Sequence, residues 1–225
     1  MKNTLVHSFI IHSRSFRETS MIYDILTSNN GLISILAKGI KKKRDRSYLQ
    51  PTKELILSFT DSDFPILTSY EPVNDLPSIK NNQLLIILYF NELIYRLIPR
   101  NEPQEVIFDL YKTYIVKMSQ TDHADQSLIL GFEALFLKEI GYELSMADYT
   151  IPIKYDKFYY YDYNEGFKAT NGKSNHDTVS GASLECLFSN NFKFIEDILT
   201  LRRIIKNMIS KISHGNTIKS YDFIN

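Results

Sequence analysis

Over the first 78 residues the apolar positions come in short, β-branched runs rather than at helical spacing. Val6–His12 alternates with polar steps, and Met21–Thr27 and Leu32–Ala37 are two further runs. Ser28-Asn29-Asn30-Gly31 separates that pair. An Asn-Gly step between two such runs predicts a hairpin, because both residues tolerate positive φ. Glu54–Phe59 and Ile66–Tyr70 follow, joined through the polar Asp61-Ser62-Asp63. Five short strands in this space predict a small barrel, closed or nearly so. Closure also answers the edge problem of so short a sheet.

The period then changes. Asp75-Leu76-Pro77-Ser78 punctuates the chain, with Ser78 a helix cap. Gln83–Ile98 is apolar over most of its circumference, which predicts a buried helix. Asn101-Glu102-Pro103 starts a second helix over Glu105–Met118, and Gln126–Ile140 is a third, stopped by Gly141. Lys157–Tyr163 and Phe167–Thr170 predict a hairpin around Asn164-Glu165-Gly166. Helices resume at Ser183–Phe188 and Ile195–Ser213, where Gly215 ends the last. The expected architecture is α+β. An N-terminal five-stranded barrel (1–78) precedes an α-helical domain (79–225) with a small β-hairpin insertion at about 155–172. With no repeat or low-complexity linker between them, the helices are expected to pack directly on the barrel.

Composition narrows the function. The chain has 225 residues and zero net charge, but the charge is unevenly placed. Residues 1–78 carry ten Lys/Arg against eight Asp/Glu, residues 79–192 ten against fifteen, and residues 193–225 six against three. A polyanion therefore prefers the two ends. One cysteine, Cys186, excludes an intramolecular disulfide and a Cys-based zinc site. The most apolar run, Leu84–Phe90, is short of the ~20 residues a membrane span needs, and the N-terminus has no signal-peptide pattern. A cytoplasmic protein with no membrane partner is expected.

The sharpest local feature is Lys38-Gly39-Ile40-Lys41-Lys42-Lys43-Arg44-Asp45-Arg46, with six cations and one anion between the third and fourth strands. Mutual repulsion predicts a mobile loop that a polyanion would order, releasing counterions as it binds. Such a run also serves plain solubility. Its place on a five-stranded barrel favours nucleic acid, which these barrels bind across one face and its loops. Arg14 and Arg17 flank Phe16 just after the first strand. That order suits a stacking aromatic between phosphate-binding arginines, although Phe16 is better read as packing into the barrel end. Tyr159, Tyr160, Tyr161 and Tyr163 are read as hairpin packing, since alternation splits them between two faces. Arg202, Arg203 and Lys206 on the last helix either extend a DNA surface or form an ordinary solvated face.

Catalytic signals are missing. His7, His12, His123, His176 and His214 are scattered, with no zinc-protease spacing. Asp61 and Asp63 fit a turn better than a nuclease metal site. No phosphate-cradling glycine loop or nucleophile elbow occurs. The sequence reads as a binder without enzyme activity or cofactor.

At this point the residues resemble a known family. Phe9-Ile10-Ile11-His12-Ser13-Arg14-Ser15-Phe16-Arg17-Glu18-Thr19-Ser20 is similar to the opening of RecO proteins. So is Gly31-Leu32-Ile33-Ser34-Ile35-Leu36-Ala37-Lys38-Gly39 with the basic run after it, and Leu49-Gln50-Pro51. Leu88-Tyr89-Phe90-Asn91-Glu92-Leu93, Phe132-Glu133, Gly141-Tyr142 and Ile218-Lys219-Ser220 continue the resemblance in family order. It implies an OB barrel and a helical domain. It implies binding of single- and double-stranded DNA, annealing of complementary strands, and help in loading RecA onto strands covered by single-strand-binding protein. The implied partners are RecR, sometimes RecF, and the tail of the single-strand-binding protein. Carried over by position, the DNA-facing candidates are Arg14, Arg17, Lys38, Lys41, Lys42, Lys43, Arg44 and Arg46. Many family members carry a four-cysteine zinc module where this chain has Tyr149–Tyr163, so the chain resembles the zinc-free branch. The residues that would receive an acidic tail are not marked in the sequence; Arg96, Lys112 and Lys117 are candidates. The competing readings are a generic OB-fold nucleic-acid binder without annealing, and a metal-dependent nuclease.

Overall fold

The computed structural model describes residues 4–73, 79, 81–121, 125–170, 177–213 and 217–224. The punctuation at Asp75–Ser78 and the stop at Gly215 lie outside these residues, as do His123, His176 and His214. Five strands come first: β1 (Thr4–Phe16), β2 (Ser20–Thr27), β3 (Gly31–Ala37), β4 (Glu54–Phe59) and β5 (Leu67–Pro72). They pair antiparallel in the order β3-β2-β1-β4-β5. A parallel bridge from Leu36 to Ile66 brings the outer strands together, with Leu36 N–H donating to the Pro65 carbonyl at 2.8 Å. The sheet is thus curled into an OB-like barrel, as expected from five short strands. Its interior is filled by side chains such as Ile10, Tyr23, Ile25, Ile33, Ile35, Leu55 and Leu57.

β1 is longer than its apolar run, because past the irregularity between Ile10 and His12 it continues as a polar strand paired to β2. The β2–β3 turn has a single positive-φ residue, Gly31 at φ 66°; Asn30 keeps an ordinary conformation. Thr27 Oγ1 accepts from Asn30 N–H and donates to the Gly31 carbonyl, which closes the turn. A Cβ on Gly31 would stand 1.7 Å from the Glu102 carbonyl oxygen, so glycine is required twice over.

The chain divides into two compact units, residues 1–124 with 218–225, and residues 125–217. In the first, α1 (Asn81–Leu97) and α2 (Glu105–Ser119) pack with the barrel. Phe9 of β1 meets Phe108 and Tyr111 of α2 at ring separations of 5.4 and 5.0 Å. α1 buries Ile86, Ile87, Tyr89, Phe90, Leu93 and Ile94, but Leu84, Leu85 and Leu88 form an exposed stripe. A helix apolar nearly all round is therefore covered on only part of its circumference. The C-terminal 3₁₀ turn, Lys219–Phe223, returns to α1. There Glu92 accepts from Ser220 N–H (2.8 Å), Ser220 Oγ (2.6 Å) and Lys219 N–H (3.2 Å).

The second unit holds α3 (Gln126–Glu139), β6 (Phe158–Asp162), β7 (Gly166–Thr170), β8 (Thr178–Ser180), α4 (Gly181–Phe188) and α5 (Ile198–Ile212). Asp125 caps α3 by accepting from Ser127 N–H, and Gly141 follows the helix at φ 87°. The expected hairpin is present, but β8 pairs on the other side of β6, giving the order β7-β6-β8. Tyr159 is buried, and Tyr161 packs edge-on against Phe167 and Tyr163, so the tyrosines build this sheet. The last helix begins later than its apolar pattern. Phe192–Phe194 form a separate 3₁₀ turn, and Asp197 is engaged in accepting from Ser180 N–H and Oγ.

Candidate nucleic-acid interface

The basic segment between β3 and β4 is not a free loop. Ile40–Lys42 and Arg44–Tyr48 are short 3₁₀ turns. Ile40 and Leu49 anchor them in the barrel core at 1% and 7% exposure. Lys41 N–H donates to the Thr19 carbonyl at 3.0 Å, and Lys41 Nζ donates to the Arg17 carbonyl at 3.0 Å. Arg46 Nη1 donates to the Lys41 carbonyl at 3.4 Å. Two buried apolar anchors thus outweigh the repulsion of the charges between them, because the charges stay in solvent.

Folding this way builds an open groove. Lys41, Lys43, Arg44 and Arg46 line it from one side, and Ser13, Ser15, Met21 and Tyr23 from the strands. Among the described residues, no carboxylate lines it. Lys43 Nζ lies 5.4 Å from the Tyr70 ring centroid, which restrains that side chain. Burial raises the Tyr23 phenol pKa, while the Arg46 charge lowers it in part. Four cations around a groove floored by hydroxyls and a tyrosine suit a phosphodiester backbone. Lys38 and Lys42 are exposed but outside the lining. Arg17 sits in the β1–β2 turn at φ 54° with its guanidinium 5.3 Å from the centroid of the half-buried Phe16 ring. Phe16 is not in the groove, so stacking between two arginines does not occur there.

Arg14 points the other way. Ser13 and Ser15 face the groove, so the alternation of β1 puts His12 and Arg14 on the outer wall. There Asp24, fully buried, accepts from Arg14 Nη1 at 2.6 Å, Arg100 Nη1 at 2.9 Å, His12 Nδ1 at 3.2 Å, and Ser34 Oγ. Burial pushes the Asp24 carboxyl pKa up, but the bonds from Ser34, Arg100 and His12 and the Arg100 charge outweigh it and hold it below the usual value. Arg100 and His12 were missed by sequence reasoning. The register could have found His12, since it pairs directly with Asp24, which pairs with Ser34.

The last helix gives a correction. Arg202 does not share a solvated face with Lys206: it is 1% exposed and forks onto Glu133 at 3.3 Å, also donating to Gln126 Oε1. It cannot reach DNA from there. Four-residue spacing placed Arg202 beside Lys206, but the helix turns its Leu201, Arg202, Ile205 and Ile209 side inward. Arg203 is exposed and paired with Asp177, and Lys206 is exposed. The three cations considered for an acidic tail are each engaged: Arg96 with Glu92 at 2.8 Å, Lys112 with Glu54 at 2.9 Å, and Lys117 over the Tyr114 ring at 4.7 Å.

Asp61 and Asp63 are exposed in the β4–β5 connection, and no group of three or more His, Cys, Asp or Glu converges as a metal set among the described residues. Among those residues, no helix is long and apolar enough to cross a membrane.

The comparisons with known proteins agree along the chain. Residues 1–75 match the family described as "Recombination protein O N terminal", and residues 82–190 match "Recombination protein O C terminal". A protein of Nitrosococcus oceani named "DNA repair protein RecO" is 33% identical over 172 residues, covering 74% of this chain and 70% of the relative. Proteins of the same name from Photobacterium profundum and Coxiella burnetii are 27% and 26% identical. Each of these alignments covers 96% of this chain, with 93% and 96% of the respective relative.

Proposed function

The chain belongs to the RecO family of DNA repair and recombination proteins, and on that premise we propose that it is a non-catalytic recombination mediator. It binds single- and double-stranded DNA and anneals complementary strands. With RecR, and RecF where that protein takes part, it helps load RecA onto strands covered by single-strand-binding protein, whose tail it receives. It works in the cytoplasm, at the nucleoid.

The observation that supports this reading most is the groove on the barrel, lined by Lys41, Lys43, Arg44 and Arg46. A backbone held there is bound through phosphate, which leaves bases available for pairing with a second strand. Lys38, Lys42 and Arg17 are further DNA-contact candidates on the barrel, and Arg203 and Lys206 are candidates within their own unit.

The test is annealing of labelled complementary strands across a salt series. The comparison is wild type against a variant with Lys41, Lys42, Lys43, Arg44 and Arg46 changed to Ser. The mediator reading expects wild type to anneal and the variant to bind more weakly, with a shallower salt slope. Binding without annealing would instead leave a generic OB-fold nucleic-acid binder, and magnesium-dependent strand cleavage would make it a nuclease.

A further inference from the structure

We propose that the outer wall of the barrel carries a second phosphate-binding site, formed by Arg14 and Arg100 around Asp24, so that one barrel holds two DNA strands on opposite faces of β1. The inference rests on the DNA-binding reading above and adds a second strand and new residues to it.

The placement follows from register. His12, Asp24 and Ser34 lie side by side across β1, β2 and β3, with Arg14 next along β1. Ser13 and Tyr23, the neighbouring pair, face the groove. The wall between the two faces is one strand layer.

The chemistry follows from how Asp24 spends its oxygens. Oδ2 takes Arg14 Nη1 and His12; Oδ1 takes Arg100 Nη1 and Ser34. Arg100 Nη1 also donates to Ser34 Oγ at 3.1 Å. Neither guanidinium has its Nε or Nη2 in a hydrogen bond among the described residues, and both side chains are about two-fifths exposed. One buried carboxylate thus fixes two forks and leaves their outward donors unspent. Tyr95 braces the arrangement, with Arg100 5.0 Å from its centroid and the His12 ring 4.7 Å away. Two arginines against one carboxylate leave a net positive charge. A planar fork of fixed donors matches an oxyanion with several acceptor oxygens, and phosphate meets it better than an isolated point charge would.

The test uses two oligo-dT strands, one carrying a donor dye and the other an acceptor, which cannot pair with each other. Wild type should bring both onto one protein and give energy transfer, with a stoichiometry of two strands. A D24N/R14Q/R100Q variant removes the site while keeping neutral hydrogen-bonding groups in place. It should bind the first strand as wild type does and the second about tenfold or more weakly. The salt slope for the second strand should fall by about 1.4, from two phosphate contacts at about 0.7 each on a single strand. Should the triple variant fail to fold, R100Q alone gives the same directional test, since Arg14 still pairs with Asp24.

Wild type that binds one strand but never two overturns the second site and leaves the groove standing. Wild type that binds no strand overturns the DNA reading as well. A variant that still holds two strands, or one that loses only binding of polyglutamate, overturns the proposal, the latter by assigning the wall to an acidic protein.

Discussion

Changing Arg202 to Met tests the main correction to the sequence reading. Arg202 and Glu133 have side-chain exposures of 2% and 0%, so truncating the arginine breaks an ion pair in a site that water does not reach. Breaking a buried pair this way costs about 3–5 kcal/mol. In a chain of this size each kcal/mol moves the melting midpoint by about 2–4 °C, so R202M should melt about 10 °C below wild type. Changing both partners, E133M/R202M, removes both charges and should recover most of that loss, because paired burial contributes little net stability over apolar residues of like volume. Thermal melts followed by circular dichroism measure both, and the loss should appear in the transition of the unit holding residues 125–217. DNA binding by R202M, measured well below its melting point, should keep the wild-type salt slope. An R202M protein that melts with wild type yet shows a shallower salt slope would refute the reasoning and return Arg202 to the DNA surface.

Other outcomes follow from the same geometry. Serine at Lys41, Lys43, Arg44 and Arg46 should reduce the salt slope for single strands by about 2 to 3 if most of the four meet phosphates, as a binding isotherm series will read. Gly31→Ala should destabilise by at least about 2 kcal/mol in urea melts, since it forces alanine to φ 66° and drives its Cβ onto the Glu102 carbonyl. For pH, Asp24 and Glu92 are both held below their usual carboxyl values. For Glu92, burial pushes the pKa up but the bonds from Ser220, Lys219 and Arg96 outweigh it. A depressed carboxyl contributes its full stability above its ordinary value of about 4 and loses it as pH falls through the folded value. Wild-type stability should therefore drop steeply below about pH 4, and the drop should be shallower in D24N; acid melts with identical slopes would refute the role given to Asp24.

Local pattern was enough for most elements, because a strand or helix is specified by the period of its own apolar residues. Glu54–Phe59 and the starts of α2 and α3 coincide with the sequence reading, as does the hairpin at Gly166. The third strand of that sheet, Thr178–Ser180, was not legible, since three residues carry no period and their pairing with β6 is a contact at a distance. The family was legible too, because its residues lie in order along the chain.

By itself the sequence determined a five-stranded barrel, a helical remainder and a concentration of positive charge between β3 and β4. It could not determine which charges meet solvent. Arg14 and Arg17 are neighbours in sequence, yet strand alternation sends Arg14 to the Asp24 wall, and the turn sends Arg17 to the Phe16 ring. Arg202 looked like a surface cation because helical spacing says which residues share a face and not which face is buried. Arg100 joins the Asp24 cluster across 76 residues of chain. Only folding decided these placements, because a charge takes its role from the groups that desolvate and pair it, and those arrive from other segments.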